Sequence, residues 1–132
     1  MSPQTEKNLE TAMAVEAFAH AKYMVFARQA RAQGHEEVAA LFEAAADVEV
    51  NEHFAEEAAL VGLAGSDADN LRQAIEGEEY EVATMYREFA EQATAAGDHA
   101  AAARFGEVLD DERKHRDAFS AALSRLAEPI AR

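Results

Sequence analysis

The face that a helix must bury carries charge in this chain. Counting in alternating steps of four and three from Ala101 reaches Phe105, Val108, Glu112, His115, Phe119, Ala122 and Leu126, the spacing of a core-facing stripe. The same count gives Leu9, Met13, Glu16, His20, Tyr23, Ala27 and Ala30 in a first segment. It gives Val38, Phe42, Ala45, Glu49, Glu52, Glu56, Ala59 and Leu63 in a second. In a third it gives Leu71, Ile75, Glu78, Val82, Met85, Phe89 and Gln92, with Glu81 one turn from Glu78. Every stripe is apolar toward its ends, Gln92 apart, and polar in its middle. A fold for this sequence has to supply a reason for bringing carboxylates inside.

The breaks between stripes fall at Gly34, at residues 62–69 and at Gly97, and the two prolines stand at 3 and 129, outside the periodic stretches. Four helices are therefore expected over 5–33, 35–63, 68–96 and 98–127, with no period-two strand. Gly closes the first and third helices, and Asp67 or Asp69 is the expected cap of the third. Displacing the chain by 63 residues lays Tyr23 on Tyr86, Phe26 on Phe89, Gly34 on Gly97, Phe42 on Phe105, Glu49 on Glu112 and Glu52 on His115. The expected fold is an all-α four-helix bundle of two similar hairpins, forming one domain over residues 1–132.

Composition narrows the function. A formal net charge of −14 repels nucleic acid. No apolar run reaches membrane-span length, so no membrane contact and a cytoplasmic location are expected. Without cysteine there is no disulfide, thiolate ligand or cysteine nucleophile.

The acidic positions share a depth. Glu16 lies 18 residues before Gly34, and Glu49 and Glu52 lie 15 and 18 after it. Glu78 and Glu81 lie 19 and 16 before Gly97, and Glu112 and His115 lie 15 and 18 after it. At about 1.5 Å per residue these groups fall within ~6 Å of one level along the bundle. Each buried, unpaired ion costs several kcal/mol, against a domain stability of ~5–15 kcal/mol. Metal cations remove that cost. Hard oxygen donors with a single imidazole suit iron or manganese, and this many carboxylates can bridge two ions. An acidic, wet interior or an oligomer groove is the alternative, but neither requires equal depth on four helices.

The stretches "TEKNLETAMAVE" and "KYMVFARQA", "LFEAAADVEVNEH", "GEEYEVATMYREFA" and "DDERKH" resemble the rubrerythrin family in order and spacing. The resemblance implies a ferritin-like bundle holding a non-haem pair of iron ions, Fe2+ or Fe3+, bridged by oxo and carboxylate groups, with manganese the other candidate. It implies Glu16, Glu49, Glu78, Glu81, Glu112 and His115 as metal ligands, with Glu49 and Glu112 bridging. Glu81 corresponds to the extra carboxylate of the peroxidase type, and Tyr23 and Tyr86 to tyrosines beside the metals. The implied activity is reduction of hydrogen peroxide to water, with ferroxidase or O2-reducing chemistry, or plain metal binding, as alternatives.

The chain departs from the family pattern in three places. The family's histidine on the second helix is replaced by Glu52, taken here as the ligand, with His53 substituting if that helix is distorted. The family's rubredoxin domain, an iron site made of four cysteines, has no counterpart in these residues, so electrons are expected from an external, rubredoxin-like donor. Third, residues 64–70 span at most ~25 Å, too short to return along a helix of about 42 Å. The bundle is therefore expected to be completed by domain swapping in a homodimer, or else to run simply up and down.

Two local readings remain. Glu16 and Tyr23 are seven residues apart but Glu78 and Tyr86 eight, so the third helix is expected to absorb one residue as a π-bulge. An unbroken helix there would instead make Glu79 the equivalent of Glu16. His20 is read as a hydrogen-bonded neighbour of the site rather than a ligand, and His35 and His99 as surface residues.

Overall fold

The first helix starts at Pro3 in the computed structural model, which describes residues 1–127. Ser2 caps it by accepting from the Thr5 amide at 3.1 Å, and the proline sits at a position whose N–H has no helical partner. Helix α1 runs Pro3–Ala32. A second rod comprises α2 (Glu36–Val48), a π-helical stretch π1 (Glu49–Phe54) and α3 (Ala55–Val61). A third comprises α4 (Asp67–Tyr80), π2 (Glu81–Met85) and α5 (Tyr86–Ala96). The fourth, α6 (His99–Ala127), is unbroken α-helix. No strand occurs among the described residues, and the expected boundaries hold to within a few residues.

The turns repeat along with the sequence. Gly34 and Gly97 adopt φ of 80° and 82°, a left-handed conformation that only glycine enters without strain. It lets the His35 amide reach Ala30 O, and the Asp98 amide reach Ala93 O, each at 2.9 Å. These are the closing bonds of Schellman motifs. The cap of α4 differs from expectation. Ser66, not Asp67 or Asp69, accepts from the Asp69 amide at 3.1 Å. The two aspartates occupy the first turn instead, where the helix dipole favours negative charge.

The chain divides into two compact units, Met1–Ala64 and one beginning at Gly65. In the first, α1 packs along α2, π1 and α3; in the second, α4, π2 and α5 pack against α6. Alanine allows the close approach in the first hairpin, where Ala27, Ala30 and Ala39 form a buried seam with Phe42 packed on it. Tyr23, Phe26 and Phe42 form a ring cluster with centroids 5.3–6.4 Å apart. Tyr86, Phe89 and Phe105 repeat it at 5.6–6.2 Å. A pair of helices covers an aromatic ring on one side only, so Phe26 and Phe89 remain 42% and 40% exposed. No large side chain is fully buried among the described residues. Nor is any described helix long and apolar enough to cross a membrane.

Candidate metal centre

Each hairpin gathers two carboxylates and an imidazole halfway along its length. In the first, α1 supplies Glu16, and π1 supplies Glu49 and His53. His53 Nδ1 stands 3.3 Å from Glu16 Oε2 and 3.4 Å from Glu49 Oε2. In the second, α4 supplies Glu78, and α6 supplies Glu112 and His115. His115 Nδ1 stands 3.3 Å from Glu112 Oε2 and 3.7 Å from Glu78 Oε1. Within each triad one ligand atom per residue lies within 4.8 Å of the others. The carboxylates are half-buried and the imidazoles exposed, and burial follows the same order in both triads. The internal repeat in the sequence is thus also a repeat of side-chain triads.

The structure brings together Glu16 and Glu49 in one hairpin and Glu78, Glu112 and His115 in the other. Glu81 opens π2 and interacts with Glu112 and Glu78. Glu52 is not part of either group. It is exposed, because the extra residue of π1 turns His53 into the position that Glu52 would hold on a regular helix. The anticipated bulge in the third helix is present as π2, between Glu78 and Tyr86. Glu79 accordingly points elsewhere, pairing with Arg116 at 3.3 Å. Tyr23 and Tyr86 stand in their aromatic clusters, and burial followed by the charge of Glu81 pushes the Tyr86 hydroxyl above its ordinary range. His20 Nδ1 bonds Ala46 O at 2.8 Å across the hairpin. His35 and His99 are exposed at the starts of α2 and α6.

A signal for His53 exists in the sequence. The 63-residue offset lays Glu52 on His115, but an offset of 62 lays His53 there. The one-residue discrepancy that reveals π2 from Glu16–Tyr23 and Glu78–Tyr86 therefore also exists between Glu49–His53 and Glu112–His115.

The electrostatics of the second triad are those of too much negative charge in too little water. Burial pushes the Glu78 carboxyl up to about 7, and its contact with the charged Glu112 adds to the shift. Glu112 is driven the other way, chiefly because Glu78 donates to it and then because His115 lies beside it. Below about pH 7 Glu78 therefore keeps its proton while Glu112 is charged. Burial also raises Glu81, with the Glu112 charge next in importance. Glu78 Oε2 is buried with no hydrogen-bond partner, an acceptor left over after the proton is counted. Carboxylate oxygens with one imidazole per triad, an orphaned oxygen and a displaceable proton fit a hard or borderline divalent cation.

That proton predicts a pH dependence. A cation entering the second triad must displace the proton on Glu78, so apparent affinity should fall about tenfold per unit as pH drops below about 7. Calorimetric titration of Mn2+ into the metal-free protein at pH 6.0 and 7.5 measures it. Stability of the metal-free fold has the opposite slope. Between the ordinary 4.5 and about 7, Glu78 holds more proton in the folded than in the unfolded chain, so stability falls as pH rises through that window. The depressed Glu112 adds stability that is lost only as pH falls below its ordinary value, outside the window.

The rubrerythrin family model matches residues 7–54 and 47–123. A rubrerythrin of Porphyromonas gingivalis is 34% identical over 95% of this chain and 68% of its own length. The chain belongs to the rubrerythrin family. Nigerythrin of Nitratidesulfovibrio vulgaris is 36% identical, again over 95% of this chain and 68% of the relative. A rubrerythrin-like protein of Methanocaldococcus jannaschii is 29% identical over 72% of its length. A solved structure described as the fully reduced, all-ferrous state of nigerythrin is 35% identical. That match covers 98% of this chain and 71% of the other, with a TM-score of 0.49. The match to the rubrerythrin family extends across both hairpins and both triads.

Proposed function

We propose that this rubrerythrin-family chain holds a pair of iron ions on Glu16, Glu49, His53, Glu78, Glu81, Glu112 and His115, and reduces hydrogen peroxide to water with electrons from an external donor. The observation that carries this reading is the duplication of a triad, two glutamates and a histidine, at matching positions of two hairpins in a member of this family. One such triad is a common surface ion pair; two related by the internal repeat are a plan. Bound iron supplies the two electrons that a peroxide accepts, and its charge offsets the carboxylates.

The chain's own residues do the rest. Glu49 and Glu112, each beside its hairpin's imidazole and a second carboxylate, would be the carboxylates shared between the two ions. Glu81 adds a carboxylate beside Glu78 and Glu112 that the first hairpin does not duplicate. This is the feature that favours peroxide over dioxygen as oxidant. Tyr86, with its proton held firmly by burial and the surrounding negative charge, serves as a hydrogen-bond donor to those carboxylates.

Assembly is part of the proposal. Residues 62–66 link α3 to α4 and reach at most ~18 Å, short of the ~39 Å rod of α2, π1 and α3. A family-like arrangement then draws the second hairpin from another copy, giving a domain-swapped homodimer. Light scattering of the loaded protein should report a dimer, and a folded, metal-loaded monomer would overturn this part.

The activity is tested by loading ferrous iron anaerobically, expecting two ions per chain, and mixing with one equivalent of hydrogen peroxide in a stopped-flow instrument. Oxidation by peroxide should outpace oxidation by air-saturated buffer by at least about tenfold. Faster oxidation by dioxygen would make the chain a ferroxidase instead.

A further inference from the structure

We propose that His20 is a positioning residue. By bonding the carbonyl of Ala46 it holds the second rod in its π register and so presents His53, rather than Glu52, to the metal. The proposal rests on the metal-binding reading above for its consequence, but its first claim concerns the backbone alone.

The geometry lies at the boundary where α2 becomes π1. The Glu49 amide is shared there between the carbonyls of Ala45 and Ala46, so Ala46 O is the point at which the hydrogen-bond ladder slips. Ala46 is fully buried, so no water reaches its carbonyl and any further partner must come from the protein. The His20 imidazole, itself half-buried, arrives from α1 and donates Nδ1–H to that oxygen at 2.8 Å. A side chain that bonds into the backbone ladder from outside is one recognised cause of a local departure from α-helix.

The second hairpin is the built-in control. At offsets of 62 and 63 from His20 stand Val82 and Ala83, neither of which can donate from its side chain. The rod they face, α6, is α-helix from His99 to Ala127, and its imidazole follows Glu112 by three residues rather than four. The hairpin with the clamp has the bulge and the longer spacing; the hairpin without it has neither on the matching rod.

The register therefore selects the chemistry of a ligand. In an unbroken helix Glu52 would face Glu16 and Glu49, crowding three carboxylates together. In the π register an imidazole takes that place.

Three substitutions test this. His20→Phe and His20→Ala remove the donor, whereas His20→Asn keeps an N–H close to the Nδ1 position. NMR of the metal-free protein should lose the proximity of the His53 ring to Glu16 in the first two and keep it in the third. Cobalt(II) loading should show two paramagnetically shifted imidazole N–H signals in the native chain and with His20→Asn, but one with His20→Phe. Deleting Asn51 restores three-residue spacing, and in that chain His20→Phe should leave both signals in place. A folded His20→Phe protein that keeps the bulge and both signals overturns the proposal. Should His20→Phe unfold the native-length chain, the Asn51-deleted chain decides, since it must fold and bind with that substitution. If the native chain binds no cobalt, the metal reading fails, while the His53–Glu16 proximity still judges the register.

Discussion

Glu112→Ala is expected to abolish metal binding in the second hairpin and lower peroxide-dependent oxidation by at least about 100-fold, since even outer partners of metal ligands are worth about 10–100-fold. The reason is its place in the charge network. Glu112 contacts His115, accepts from Glu78 and interacts with Glu81, and it is the carboxylate that α6 brings to the group. Removing it also takes away the acceptor that lets Glu78 keep its proton at neutral pH, and no remaining carboxylate can bridge from α6. Iron per chain by elemental analysis and single-turnover oxidation by peroxide are the two measurements. Glu79→Gln is the matched control. It removes an equal charge from the same hairpin, but Glu79 pairs with Arg116 at the surface, where such a pair contributes about 0–1 kcal/mol. Metal content should not change. Equal losses from the two substitutions would mean that bulk negative charge, not the triad, draws the metal.

The contrast between Glu112 and Glu79 also shows what a sequence of this kind reveals. The four rods, their glycine ends and the paired aromatic clusters are legible because each depends on a local rule: a 3.6-residue period, a left-handed cap, a repeat of 63. Glu16, Glu49, Glu78 and Glu112 are legible because a charge on a core stripe is costly and stands out. Even π2 can be inferred, because Tyr86 supplies a second fixed point from which to count. What the sequence leaves ambiguous is π1, because an offset of 63 lays Glu52 on His115 and an offset of 62 lays His53 there. "EVNEH" contains no residue that demands a π-turn, and the slip occurs where a side chain from another helix, His20, reaches Ala46 O. Such a contact is tertiary and leaves no periodic trace. The cap of α4 escapes for a smaller reason. Ser66, Asp67 and Asp69 are all competent caps, and only the backbone conformation chooses among them.

His53→Ala carries the other large effect, and its interpretation depends on a comparison with Glu52→Ala. On the stripe count alone Glu52 is the ligand, and its loss should matter most. In the structure Glu52 is exposed, and His53 lies within 3.4 Å of both carboxylates. His53→Ala should therefore cost the first hairpin at least about 100-fold in metal affinity, while Glu52→Ala should stay within about twofold. The loss has two parts: the nitrogen donor disappears, and Glu16 and Glu49 are left facing each other without the group between them. A deletion separates residue identity from register. Removing Asn51, an exposed residue whose amide bonds only Asp47 among the described residues, shortens Glu49-x-x-x-His53 to the three-residue spacing of Glu112 and His115. A regular helix then carries the histidine where π1 carried it, with the downstream turns at unchanged azimuths. The shortened chain should bind metal as the native one does, and adding His53→Ala to it should restore the full loss. Binding that survives His53→Ala but fails with Glu52→Ala would instead mean that the helix regains its α register when metal arrives.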